Sequence, residues 1–252
     1  ETNLDQLLKG ASGARNGAKK LALWLGLACL ALALARPQAN PTVQERQSTG
    51  LDIYVLLDVS RSMDCEDVAP SRLKKAKRTI EHLASRLSGD RIGIIAFANS
   101  AVLVSPLTND YSIIETYLKN IDTNIVPSQG TNFANALETA REAMERGAKA
   151  ANATATHSNI FLVLSDGEDH AESDLGVVDT IRKEGGLVFA IALGTEKGAP
   201  IPIRDDRGEL RGYKHDAKNE VVLTKVESKT LTEIASRGGG QFYHSTLDEG
   251  EV

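Results

Sequence analysis

The sequence predicts an α/β fold: a doubly wound, mostly parallel sheet flanked by helices, preceded by an amino-terminal transmembrane helix. Three observations predict it. Four short apolar runs recur along the chain, apolar stripes at helical spacing lie between them, and one longer uncharged run precedes them all. Alternation of strands and helices in this order gives a sheet wound through right-handed crossovers.

The longer run, Leu21 to Ala35, reads LALWLGLACLALALA, with Lys9, Arg15, Lys19 and Lys20 before it and Arg36 closing it. Its length of about 15 residues is short beside the roughly 17–25 of a bilayer span. It also fits a signal-peptide core, and Ala33-Leu34-Ala35 resembles a cleavage site. A buried core helix is the third reading. Two features favour a retained anchor: the run has no polar face, and the segment ahead of it is longer than a typical signal n-region. The basic cluster places residues 1–20 in the cytoplasm and everything after Arg36 outside. The expected organisation is a juxtamembrane segment at 1–20, a transmembrane helix at 21–36, a polar linker at 37–50 with Pro37 and Pro41, and a domain at 51–247. The first residue is Glu1 rather than Met, as expected of a fragment or processed form.

The four short runs are Ile53 to Leu57, Ile92 to Phe97, Ile160 to Leu164 and Leu187 to Leu193. They are continuous rather than alternating and rich in β-branched residues, as in strands covered on both faces. Ala101 to Val104 is a candidate edge strand and Gln241 to His244 a last one. Between them, Leu73, Ala76, Ile80, Leu83 and Leu87 form one helical stripe, with Ser71 after Pro70 as its N-cap. Ala136, Leu137, Ala140, Ala143 and Met144 form a second stripe, and Leu231, Ile234 and Ala235 a shorter one. All three read as core faces. Ala199 to Leu223 breaks the rhythm: Pro200, Pro202 and Asp205-Asp206-Arg207-Gly208 predict a hairpin excursion before the last helix.

Composition is that of ordinary globular protein, with 41% hydrophobic and 25% charged residues. A formal net charge of -5 and the lack of a basic, aromatic-interleaved stretch argue against nucleic acid as a partner. The two cysteines, Cys29 in the apolar run and Cys65 in the domain, are not expected to pair.

Chemistry gathers where strands end, since ligands of open α/β sheets bind beyond the carboxyl ends of the strands. Directly after the first run comes Asp58-Val-Ser60-Arg-Ser62. In an extended loop this i, i+2, i+4 spacing sends a carboxylate and two hydroxyls to one side. These are hard oxygen donors suited to Mg2+, or to Mn2+ or Ca2+ in its place. Asp166 lies just past the third run, with Gly167 permitting a tight turn, and Thr131 opens a helix from Gln129-Gly130. Two carboxylates and three neutral hydroxyls leave a divalent ion electrophilic, with room for water or an external carboxylate. A partner protein's acidic residue is therefore the expected ligand. The alternative makes Asp58 a helix cap and Ser60 and Ser62 turn residues.

At these five positions the sequence resembles the von Willebrand factor A (VWA) family, whose metal-ion-dependent adhesion site has Asp-x-Ser-x-Ser, a distant Thr and then an Asp. The match runs from about Leu51 to Ser245. The resemblance implies a Rossmann-like sheet, Mg2+ at its top, and partner binding rather than catalysis. Ala33-Leu-Ala-Arg-Pro-Gln38, Met63 to Leu73, Ser165 to His170, and Gly194-Thr with Pro200-Ile-Pro-Ile203 further resemble the bacterial aerotolerance (Bat) proteins. That narrower resemblance implies an inner-membrane anchor, a periplasmic domain, association with other membrane-anchored VWA proteins and a MoxR-type AAA+ ATPase, and a role in envelope stress or complex assembly.

Glu66, Asp67, Glu168, Asp169 and His170 are expected around the metal loop, as a tuning rim or simply as solvated charges. The histidines have no zinc-ligand spacing, and His82 is expected on a helix surface. Pro127 to Gly130 is a candidate mobile loop ahead of Thr131. No His-Glu-x-x-His, Gly-x-Ser-x-Gly or phosphate loop occurs, which counts against a metal-dependent hydrolase. A structural, membrane-tethered domain with a vestigial site is the remaining alternative.

Overall fold

The computed structural model describes residues 4–34, 50–150, 157–169, 174–205 and 207–245. Residues 35–36 of the expected transmembrane helix, the linker at 37–49, His170 and residues 246–247 of the expected domain lie outside the described residues. The chain divides into two compact units, Glu1–Arg46 and Gln47–Val252.

In the first unit, helix α1 runs Leu4–Leu34. Its stretch Gly17–Leu34, 18 residues, is long and apolar enough to cross a membrane. At 1.5 Å per residue it spans about 27 Å, close to the roughly 30 Å hydrocarbon core that the shorter run falls short of. Trp24 is 71% exposed and Leu21 68%. This stretch is bare within its own unit. A signal sequence and an anchor both fit its dimensions.

The second unit is built on a six-stranded sheet. Its strands are β1 Leu51–Asp58, β2 Arg91–Phe97, β3 Ala101–Thr108, β4 Ser158–Ser165, β5 Leu187–Leu193 and β10 Gly239–Ser245, in the order β10-β5-β4-β1-β2-β3. All neighbours pair parallel except β3, which closes one edge antiparallel to β2. The excursion contributes two small antiparallel pairs, β6 Ala199–Pro200 with β9 Leu223–Thr224 and β7 Pro202–Arg204 with β8 Leu210–Tyr213.

The continuous apolar runs are explained by cover on both faces. Ile53, Val55 and Leu57 point to one core with Ile92 and Ile94, under α2 Arg72–Arg86 and α3 Tyr111–Asn120. Tyr54 and Leu56 point to the other, under α4 Phe133–Ala150, α5 Gly176–Lys183 and α6 Ser228–Arg237. The three predicted stripes all face these cores, and Ser71 caps α2 by accepting from Lys74 N at 3.3 Å. His82 is exposed on α2. Helices α3 and α5, absent from the sequence reading, bury only two apolar residues each, Ile114 and Leu118, and Val178 and Ile181. So few contacts leave no legible stripe.

The chain leaves β1 toward β2 and β3 on one side and returns to place β4 on the other. The carboxyl end of β1 is therefore the point where the strand order reverses, the place where such sheets open a binding crevice.

Candidate metal centre

Strand register decides which side chains meet there. Leu57 of β1 lies opposite Leu164 of β4, so Asp58 and Ser165 leave the sheet side by side although far apart in sequence. Ser165 Oγ donates to Asp58 Oδ2 at 2.5 Å, and Ser60 N donates to Asp58 Oδ1 at 2.8 Å. The Ser60 and Ser62 hydroxyls are 2.9 Å apart, and the Ser62 hydroxyl acts to lower the Asp166 carboxyl. A short 3-10 turn, Arg61–Asp64, follows; the Ser60 side chain does not cap it. The turn-and-cap alternative thus accounts for the backbone but not for the hydroxyl cluster.

Thr131 reaches the same end of the sheet from the other side of β1. Asn132 N donates to Ala98 O at 3.0 Å, immediately past Phe97, the parallel partner of Asp58. Asn132 Oδ1 then accepts from Asn135 N, which starts α4 just beyond Thr131. The preceding loop is tied down: Asn99 N donates to Ser128 O, and Gln129 Nε2 donates to Thr123 O and Val126 O.

All five predicted residues are buried: Asp58, Thr131 and Asp166 fully, Ser60 and Ser62 nearly so. Burial, and then the neighbouring Asp166 carboxylate, raises Asp58 well above the usual carboxylate range. Burial raises Asp166 as well, against the Ser62 hydroxyl and the Arg72 guanidinium. Thr131 Oγ1 is buried without a hydrogen-bond partner, an arrangement that costs about 1–3 kcal/mol unless something else satisfies it. Two close carboxylates short of positive charge and one orphaned hydroxyl fit a hard divalent cation. Among the described residues no group of three or more His, Cys, Asp or Glu could hold a metal. A cation here depends on the hydroxyls.

The match to known proteins falls on this region. Residues 53–168 match the von Willebrand factor type A domain family. The chain carries a VWA domain. A UPF0353 protein of Nocardia farcinica is 31% identical over 89% of this chain and 66% of its own length. The chain spans 61–66% of the length of the first curated relatives it matches. Two solved structures are similar at 29% identity and a TM-score of 0.69. BatB from Bacteroides thetaiotaomicron covers 79% of this chain and 92% of its own. An aerotolerance-related membrane protein from Bacteroides fragilis covers 78% and 92%. Proximal thread matrix protein 1 from the mussel byssus, solved with a zinc-occupied MIDAS motif, shares the fold at 18% identity and a TM-score of 0.52. Its match covers 81% of this chain and 43% of that one.

The VWA domain buries one charged residue beside these donors that the sequence does not single out. Arg72, the first residue of α2, is fully buried. It grips Asp67 with Nε and Nη2 at 2.8 and 2.7 Å and Asp166 Oδ2 with Nη1 at 2.8 Å. Its signal in the sequence is slight: one arginine among several basic residues at the head of a helix. The expected acidic rim is corrected accordingly. Asp67, its side chain 5% exposed, is not a solvated charge but a partner of Arg72 and of Thr195, whose N and Oγ1 both donate to it. Glu168 Oε1 accepts from Thr224 Oγ1 at 2.5 Å and from Lys225 N at 3.1 Å. Glu66 pairs with Arg204 at the surface.

Asp67 carries a pH dependence. Burial alone would raise its carboxyl, but Arg72 and Thr195 outweigh that and hold it below the usual range. A depressed folded-state value stabilises the fold above the unfolded carboxylate pKa, and that stability is lost as pH falls through the folded value. Thermal melts below about pH 4 are expected to decline less steeply in Asp67→Asn than in wild type; identical slopes would show that Asp67 is not the responsible group.

Cys29 is exposed and Cys65 buried, both as free thiols. Cys65 Sγ lies 3.6 Å from Pro200 O, and burial pushes its thiol up to about 12, away from ready thiolate chemistry.

Proposed function

We propose that this VWA domain is a metal-ion-dependent protein-binding module, and that Asp58, Ser60, Ser62, Thr131 and Asp166 hold the ion. The observation that carries the reading is the convergence of buried oxygen donors at the strand-order reversal, with Thr131 Oγ1 left without a partner. Mg2+ suits the set best, with Mn2+ or Ca2+ as substitutes. Bound there, the cation supplies an open coordination position for an acidic side chain of a partner protein. The chain's own part is to fix the donors. Ser165 and Ser60 N orient the Asp58 carboxylate, the Ser60 and Ser62 hydroxyls hold each other, and Asn132 pins the Thr131 loop to β2.

The reading is of a binder, not an enzyme, because Ser165, the serine whose hydroxyl donates to Asp58, is fully buried and presents no nucleophile to a substrate. The Bat likeness and the bare helix α1 support a membrane-tethered protein. We assign residues 1–20 to the cytoplasm, 21–36 to the membrane, 37–50 to a linker and 51–247 to a domain on the periplasmic side of a bacterial inner membrane. A MoxR-type AAA+ ATPase and other membrane-anchored VWA proteins are the partners to test first, in envelope stress or complex assembly. Cross-linking pull-down from membranes is expected to retain a protein in Mg2+ and release it in EDTA. A partner retained equally in both would refute metal-dependent capture.

A further inference from the structure

Every N–H of the Arg72 guanidinium is spoken for. Nε and Nη2 donate to the two oxygens of Asp67, Nη1 to Asp166 Oδ2 and to Thr224 Oγ1 at 3.1 Å, and Nη2 to Thr224 O at 3.2 Å. Five donors meet five acceptors, the full complement of an arginine. Gly194 closes the space behind: a Cβ there, at φ +135, would stand 2.7 Å from Nε. The group cannot swing away without stranding buried donors and buried carboxylates.

The consequence falls on Asp166. Its Oδ2 accepts from Arg72 at 2.8 Å, while its Oδ1 accepts from Glu168 N at a longer 3.3 Å. One carboxylate oxygen is fixed in the protein's own network and the other is the freer. We propose that Arg72 is a positioning residue that sets the ion preference of the site: by occupying Asp166 Oδ2 it leaves that carboxylate a single oxygen to offer, favouring Mg2+ over Ca2+. Ca2+ takes six to eight oxygens and often grips both oxygens of a carboxylate, whereas Mg2+ requires near-octahedral geometry with one oxygen from each ligand. Groups behind the ligands tune metals in this way elsewhere. The inference rests on the metal reading above.

The test is titration calorimetry of the full chain in detergent with Mg2+ and, separately, Ca2+. Wild type is expected to prefer Mg2+. Arg72→Lys keeps a charge but loses the fork, and the Mg2+-to-Ca2+ affinity ratio is expected to fall by about tenfold. Thr224→Val removes one acceptor of Nη1 and one donor to Glu168, which keeps Lys225 N, so every charge retains a partner and a smaller fall in the same direction is expected. If Arg72→Lys fails to fold, Thr224→Val carries the test alone. A wild type that binds Ca2+ at least as tightly as Mg2+ overturns the proposal. So does an unchanged ratio in the folded variants, including the case where both affinities drop by one common factor, as a merely structural role would give. A wild type that binds neither ion instead defeats the metal reading itself.

Discussion

Asp58→Ala is expected to lower divalent-metal affinity by at least ~100-fold and to abolish partner capture, while the far-ultraviolet circular dichroism stays that of wild type. Loss of an outer-shell group alone costs about 10–100-fold, and Asp58 is one of only two carboxylates in the set. The fold should tolerate the change because two effects oppose each other. Removing the carboxylate strands Ser60 N and frees the Ser165 hydroxyl, at a cost of about 1–3 kcal/mol. It also removes a buried charge that faces Asp166, which relieves the unfolded-favouring strain of two close carboxylates. Calorimetry that finds wild-type metal affinity in a folded Asp58→Ala protein would refute the ligand assignment.

Gly167→Ala is expected to destabilise the domain by about 3 kcal/mol or more in urea denaturation, through two separate penalties. The backbone at Gly167 has φ +84, where side chains are rarely accommodated, and a Cβ would stand 1.9 Å from Glu227 O. Neither side can give easily. Glu227 N is itself hydrogen-bonded to Asp166 O at 2.8 Å, just before α6 begins. Since Gly167 separates Asp166 from Glu168, metal affinity should fall with stability. An unfolding midpoint within error of wild type would mean that this junction is slacker than its packing indicates.

The sheet was legible because burial on both faces writes itself as uninterrupted apolar runs: Ile53 to Leu57 and Ile160 to Leu164 name their strands directly. The longer helices were legible for the complementary reason, since α4 turns six small or apolar side chains to one core. What a linear reading lacks is lateral order. Nothing in the residues themselves says that β4 returns to the flank of β1, and without that neighbour Asp58 and Asp166 do not meet. Their expected convergence came from the pattern of the five residues and the family resemblance. The Asp67–Arg72 pair was hidden differently. Charges between apolar positions of a helix read as solvated, and the exception shows only when Thr195, Thr224 and Asp166 are brought around the guanidinium.

The excursion between β5 and α6 is drawn shut at its base, where Ala199 lies opposite Thr224. Beyond that neck, Ile203 and Leu223 lie open to solvent at 49% and 61%, while Thr224 at the neck is gripped by Arg72 and Glu168. A segment tethered so firmly at one end behaves as an exchangeable module. Its tip can vary in sequence while the neck keeps Thr224, and through Arg72 the Asp166 carboxylate, in place.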